Sequence, residues 1–180
     1  MTREELEHAI RAACDVAKDD ELSVLGSQAI LGEFPDAPAA LRQSAECDVV
    51  PRNHPERADA IDRALGELSR FHGTHGFYVH GLSLAAAKLP TGWRERTIRV
   101  QNENTRGKAG YCLEAHDLAA SKLAAFRERD RAFVRVLLAE GLVSAGALAA
   151  RIDTLSIPED RRRTLVEWVE ATRRGLHGGR

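Results

Sequence analysis

Only three cysteines, Cys14, Cys47 and Cys112, occur in 180 residues, and they lie far apart with no CxxC pair. An odd, scattered set excludes a disulfide framework and a zinc knuckle, and it fits reduced thiols in a cytoplasm. An excess of one charge sign is also missing: 26 Lys and Arg stand against 27 Asp and Glu, a formal net charge of −1. That balance excludes a strongly basic nucleic-acid binder, although the two signs are unevenly placed and a local basic surface survives the averaging. No apolar run approaches the ~20 residues of a membrane helix. The segment from Met1 to Glu7 is acidic where a secretory leader is basic and then apolar. A cytoplasmic protein with no membrane partner is therefore expected. Neither an internal repeat nor a low-complexity tract is present.

What remains is the composition of a soluble globular protein, 43% hydrophobic and 29% charged. A chain of this length suits one domain, and it buries roughly 70% of its unfolded surface without needing a disulfide scaffold. Thr2 and Glu5 form a capping box ahead of Leu6, Ile10, Ala13 and Ala17 at helical spacing. Leu22 to Leu25 reads as a strand, Gly26-Ser27 as a turn, and Gln28 to Leu31 as the start of a helix. Gly32, Pro35 and Pro38 predict a loop or broken helix over 32–44. Cys47 to Val50 is the second strand, stopped by Pro51. Asn53 caps a helix with Pro55 in its first turn, running through Ala58, Ile61, Leu65 and Leu68. Further strands are expected at Gly76–His80, Thr97–Gln101 and Tyr111–Leu113, with a polar loop from Gln101 to Gly110. Asp117 caps the next helix, and others cover about 130–140, 145–152 and 159–174. The terminal Gly178, Gly179 and Arg180 should fray. The sum is an α/β fold: a mixed sheet of about five strands flanked by helices, with a C-terminal helical segment. Residues 1–116 would form the α/β core and 117–180 the helical segment packed on it, as a single compact unit.

Two features carry chemistry. Gly26-Ser27 joins a strand to a helix, where glycine lets backbone approach a ligand and a helix start offers N–H groups to an anion. Glu46 and Asp48 sit two apart at the start of the next strand, so both carboxylates share one face. Paired carboxylates with substrate phosphates are the usual environment of Mg²⁺ in nucleotide chemistry. Cys47, between them, points to the opposite face and is expected to be buried rather than a ligand.

The run Val24 to Ile30 followed by Ser44 to Asp48 resembles the nucleotidyltransferase-fold superfamily, marked by a Gly-Ser turn and then an acid-x-acid pair. The stretch from Cys112 to Val134 is similar to that of small uncharacterised bacterial and archaeal nucleotidyltransferase-like proteins, related to the abortive-infection toxin nucleotidyltransferases. Gly66 to His72 and Leu89 to Arg96 resemble the same group, and the likeness covers about residues 22–155. It implies that Gly26 and Ser27 hold nucleotide phosphates and that Glu46 and Asp48 bind Mg²⁺ (or Mn²⁺). Lys122 matches a lysine placed near the nucleotide, and Asp130 matches an acid shortly after it. The chain departs from the superfamily pattern in three places. Glu46 stands where Asp is commoner, and eighteen residues separate Ser27 from Glu46. The third carboxylate that active members bring from a later strand has no counterpart within Thr97 to Gln101, and Glu103 just beyond is the candidate.

Other residues have plainer readings. His72 to His75 reads as loop, His80 as a core residue with a cleft position as its alternative, and Trp93 as a hydrophobic plug. Arg127 to Arg131 reads as a solvated helix face with i,i+3 and i,i+4 pairs. Arg161 to Arg163, with Arg173 and Arg174, gives a basic edge that Glu159, Asp160, Glu167 and Glu170 dilute. The function expected is Mg²⁺-dependent transfer of an NMP unit from an NTP to a protein or RNA acceptor, with a toxin-like role. There are two alternatives. One is a catalytically inactive nucleotide-binding or interaction protein of a toxin–antitoxin or defence module, with an antitoxin-like partner. The other is an RNA-binding protein using the basic edge.

Overall fold

The computed structural model describes residues 1–177, so the expected fraying of Gly178 to Arg180 lies outside the described residues. A mixed five-stranded sheet is flanked by helices, as the hydrophobic patterning predicts. The chain divides into two units, one of Met1–Ala87 with Arg96–Glu114 and the other of Lys88–Glu95 with the residues from Ala115 onward.

In the first unit, helix α1 (Arg3–Ala17) opens on the expected capping box: Glu5 N–H donates to the Thr2 hydroxyl and Thr2 N–H to the Glu5 carboxylate. Leu6, Ile10, Ala13 and Ala17 form its fully buried stripe. Strand β1 (Glu21–Val24) is followed by one 3-10 turn (Ser27–Ala29) and a short helix α2 (Ile30–Glu33). Strand β2 (Glu46–Pro51) runs one residue past the expected stop, because Pro51 occupies its last position and Arg52 N–H resumes the bonding to Glu21. Helix α3 (Ala58–Leu65) follows a 3-10 turn at Pro55–Arg57.

Three expectations fail here. The helix stops at Leu65 rather than reaching Leu68, because Gly66 turns extended; Leu68 then adopts φ 65° and is 91% exposed. Asn53 does not cap the helix, and its side chain donates instead to Asp19. The stretch read as a histidine loop is helix α4 (Arg70–His75), capped by the Ser69 hydroxyl and closed by Gly76 at φ 75°.

Strands β3 (Tyr78–Gly81), β4 (Ile98–Val100) and β5 (Ala109–Cys112) complete a sheet of order β3-β2-β1-β5-β4. The pairs β1/β2 and β4/β5 are antiparallel, whereas β1/β5 and β2/β3 are parallel. Close approaches show which face the helices cover. A Cβ on Gly110 would meet Ile10 of α1 at 2.4 Å, one on Gly32 of α2 would meet Cys112 at 2.5 Å, and one on Gly81 would meet the Ala58 carbonyl of α3 at 2.0 Å. That face carries Leu22, Val24, Cys47 and Val49; by strand alternation Glu46, Asp48 and His80 project from the other.

The second unit holds α5 (Ala115–Ala125), α6 (Glu128–Ala139), α7 (Ala145–Asp153) and α8 (Glu159–His177). Asp117 is not the cap of α5 but lies in its first turn, fully buried, with Arg151 Nε of α7 3.0 Å away. Ser144 caps α7 and donates its own N–H to His116 Nε2. Leu118, Leu123, Leu137, Leu148, Ile152 and Leu165 are buried. Trp93, expected as a plug, is half-exposed in a 3-10 turn with the Arg94 guanidinium over its ring. Among the described residues no helix is long and apolar enough to cross a membrane.

Candidate metal centre

The site begins where β1 ends. Leu25 N–H donates to the Asp48 carbonyl at 3.0 Å, which extends the antiparallel β1/β2 ladder and brings the next residue, Gly26, beside the Asp48 side chain. A Cβ on Gly26 would lie 2.0 Å from Asp48 Oδ2 and 2.7 Å from its Cγ. Glycine is thus required by proximity, and the turn and the acid pair are one structure. The segment after Gly26 is shorter than expected, a single 3-10 turn and a four-residue helix. It is too short for the aligned dipole that anion binding at a helix start requires. What Gly26-Ser27 offers is close backbone, with Ala29 N–H already committed to the Gly26 carbonyl.

On β2, Glu46 and Asp48 face the same way, two positions apart, and Ser44 steadies the strand's entry by accepting from Glu46 N–H at 3.1 Å. The parallel register of β2 with β3 sets Asp48 opposite His80. His80 Nδ1 lies 3.2 Å from Glu46 Oε1 and 3.4 Å from Asp48 Oδ1. Glu46, Asp48 and His80 each present one donor atom, all within 4.8 Å of one another, and all three side chains are half-exposed. Behind the imidazole, Nε2 is 3.9 Å from Asp62 Oδ1 of α3. Cys47 is fully buried on the opposite face, where burial, reinforced by the neighbouring acids, pushes its thiol well above the ordinary range. Such a thiol is inert as a ligand.

Lys122 and Asp130 come together in the second unit. Lys122 Nζ lies 3.7 Å from Asp130 Oδ1 and 4.5 Å above the Phe133 ring. Asp130 is almost fully buried and also accepts from Arg127 Nε at 2.7 Å and from Arg127 N–H at 3.3 Å. The run from Arg127 to Arg131 is therefore not a uniformly solvated face, since Asp130 anchors it inward.

Residues 4–175 match the model of a family described as nucleotidyltransferase of unknown function (DUF6036). The chain belongs to this family. No curated protein and no solved structure matches it. A nucleotidyltransferase family implies a nucleotide substrate and a divalent cation, and the donor set can be tested against that. Two carboxylates and one imidazole converge on one half-exposed point, beside a glycine that keeps the approach open. Hard oxygen donors that leave room for substrate oxygens suit a divalent cation in nucleotide chemistry. The residues fit such a cation, which Glu46 and Asp48 would hold through their oxygens.

Asp62 is not singled out by the sequence, and the core reading of His80 gives way to its alternative, a position in the cleft. The signal that could have found it is pairing: β3 is parallel to β2 and in register, which places His80 level with Asp48. The third carboxylate expected from the sequence, Glu103, is not part of this cluster. That residue follows β4, which lies at the opposite edge of the sheet from β3.

Proposed function

We propose that this nucleotidyltransferase-family chain transfers an NMP unit from an NTP to a protein or RNA hydroxyl, with Mg²⁺ or Mn²⁺ held by Glu46 and Asp48. The acceptor oxygen bonds to the α-phosphorus, the bridging oxygen bond breaks, pyrophosphate leaves and the hydroxyl proton is released. The bound cation supplies charge neutralisation across the phosphates. The chain's part is to fix both carboxylates on one strand face and to let the backbone at Gly26-Ser27 approach the triphosphate. Lys122 contributes a point charge against the phosphates, steadied by Asp130. The observation that carries this reading is the close approach of Gly26 to the Asp48 carboxylate.

A second reading is a non-catalytic nucleotide-binding or interaction protein, including a member of a toxin–antitoxin or defence module with an antitoxin-like partner. The imidazole of His80 beside the acid pair, in place of a third carboxylate, favours it. Titration with NTP and Mg²⁺, followed by incubation of α-labelled NTP with tRNA or lysate proteins to detect transfer of the labelled NMP unit, separates the two. The enzyme binds and transfers, and Asp48→Asn loses both. An inactive binder gives the first result without the second. Lys122→Ala is expected to weaken nucleotide binding; unchanged affinity removes that role.

A further inference from the structure

Resting on the cation reading above, we propose that His80 is the third protein ligand of this centre and that its nitrogen biases the site toward first-row transition ions, Mn²⁺ over Mg²⁺. Three independent features converge on the imidazole. Its Nδ1 faces both acids, at 3.2 Å from Glu46 Oε1 and 3.4 Å from Asp48 Oδ1, and so lies where a shared cation would find all three donors. The backbone fixes this approach, because the parallel β2/β3 register makes His80 the partner of Asp48. Finally, Asp62 Oδ1 stands 3.9 Å from Nε2 on the far side of the ring. A metal-binding histidine commonly points its other nitrogen at a carboxylate, which fixes the tautomer and orients the ring. Asp62 of α3 is the carboxylate on that side of the ring, at a separation longer than a hydrogen bond.

The consequence is selectivity. Mg²⁺ takes oxygen donors and keeps several waters, so an imidazole adds little to its binding. First-row transition ions accept mixed nitrogen and oxygen sets. A centre of two carboxylates and one imidazole therefore holds Mn²⁺ in preference to Mg²⁺, whereas three carboxylates would narrow the difference. A histidine that merely pairs as a cation with the two acids would do the opposite: it would compete with the metal, and its removal would tighten binding.

The test uses the full chain and Mn²⁺ alone, without nucleotide. Free Mn²⁺ is followed by electron paramagnetic resonance, bound Mn²⁺ by pulsed detection of coupling to ¹⁴N, and Mg²⁺ by competition. Bound Mn²⁺ in the wild type should show imidazole nitrogen coupling. His80→Ala should lose that coupling and bind Mn²⁺ at least about tenfold more weakly, the smallest loss that even an outer-shell change typically brings. His80→Asp should retain Mn²⁺ binding while raising Mg²⁺ affinity relative to it. Thermal melts of both variants should resemble the wild type, because His80 is 40% exposed. Bound Mn²⁺ without nitrogen coupling, or equal or tighter Mn²⁺ binding by His80→Ala, overturns the proposal. Asp48→Asn separates the two levels. If it abolishes Mn²⁺ binding while His80→Ala does not weaken it, His80 alone is excluded; if wild type and Asp48→Asn behave alike, the cation reading falls as well.

Discussion

Gly26 has ordinary dihedrals, φ −80° and ψ −169°, so nothing in its backbone conformation demands glycine. What demands it is the Asp48 carboxylate, 2.0 Å from where a Cβ would stand. Gly26→Ala therefore acts by crowding. The added methyl should cost about 1–3 kcal/mol of stability, as overpacking does, and should displace the Asp48 side chain. The chain is expected to fold, melt at a lower temperature and lose divalent-cation affinity. A variant that melts lower yet binds the cation with wild-type affinity would show that the glycine serves packing alone. The sequence made Gly26, Ser27, Glu46 and Asp48 visible as residue types at suggestive spacing. It did not show that one of them touches another.

At the scale of elements, the turn between α1 and β1 is tied to the β2–α3 connection through Asp19. This carboxylate accepts from Glu21 N–H at 3.0 Å, from the Asn53 side chain at 2.8 Å, and from the N–H groups of Asn53 and His54 at 2.7 and 3.0 Å. Burial pushes its proton affinity up, but the hydrogen bonds from Asn53, Glu21 and His54 together outweigh it and hold the group below the usual carboxylate range. A depressed folded value stabilises the native state above the unfolded value of about 3.9, and that contribution is lost as pH falls below it and through the folded value. Asp19→Ala should cost about 1–3 kcal/mol at neutral pH, since it removes a buried carboxylate that accepts four hydrogen bonds. Chemical denaturation at pH 7 and again near pH 3 tests this: the gap between wild type and variant should shrink in acid, and a constant gap contradicts it.

Leu68 belongs to the same scale. It sits at φ 65° and is 91% exposed, while its N–H donates to His72 Nδ1. A left-handed leucine with no burial to gain carries a cost of roughly 1–2 kcal/mol, so Leu68→Gly should raise the melting temperature or leave it unchanged. A fall of several degrees would mean that the side chain has a packing role. Elements were legible where local signals agreed. The Thr2–Glu5 box, the alternating strands and the long C-terminal helices were readable within a few residues. The end of α3 at Gly66 is masked in the sequence by Leu65 and Leu68, which continue a helical spacing, and α4 by a glycine and histidines that look like loop unless Ser69 is read as a cap.

For the molecule as a whole, the fold class followed from alternating strand and helix patterns, but the strand order β3-β2-β1-β5-β4 did not. Local sequence does not encode which strands become neighbours, and that pairing is what sets His80 beside Asp48. For the same reason Glu103, just beyond β4, stands as the candidate third carboxylate in the sequence, although the topology places β4 at the other edge. Family membership over residues 4–175 points to nucleotide chemistry, and the location proposed for it in this chain is the arrangement of Glu46, Asp48 and Gly26. The most direct measurement is calorimetric titration of NTP with and without Mg²⁺ or Mn²⁺ into wild type and Asp48→Asn. Wild type should show a cation-dependent gain in nucleotide affinity that Asp48→Asn lacks. Equal cation-dependent binding by the two proteins would contradict the assignment.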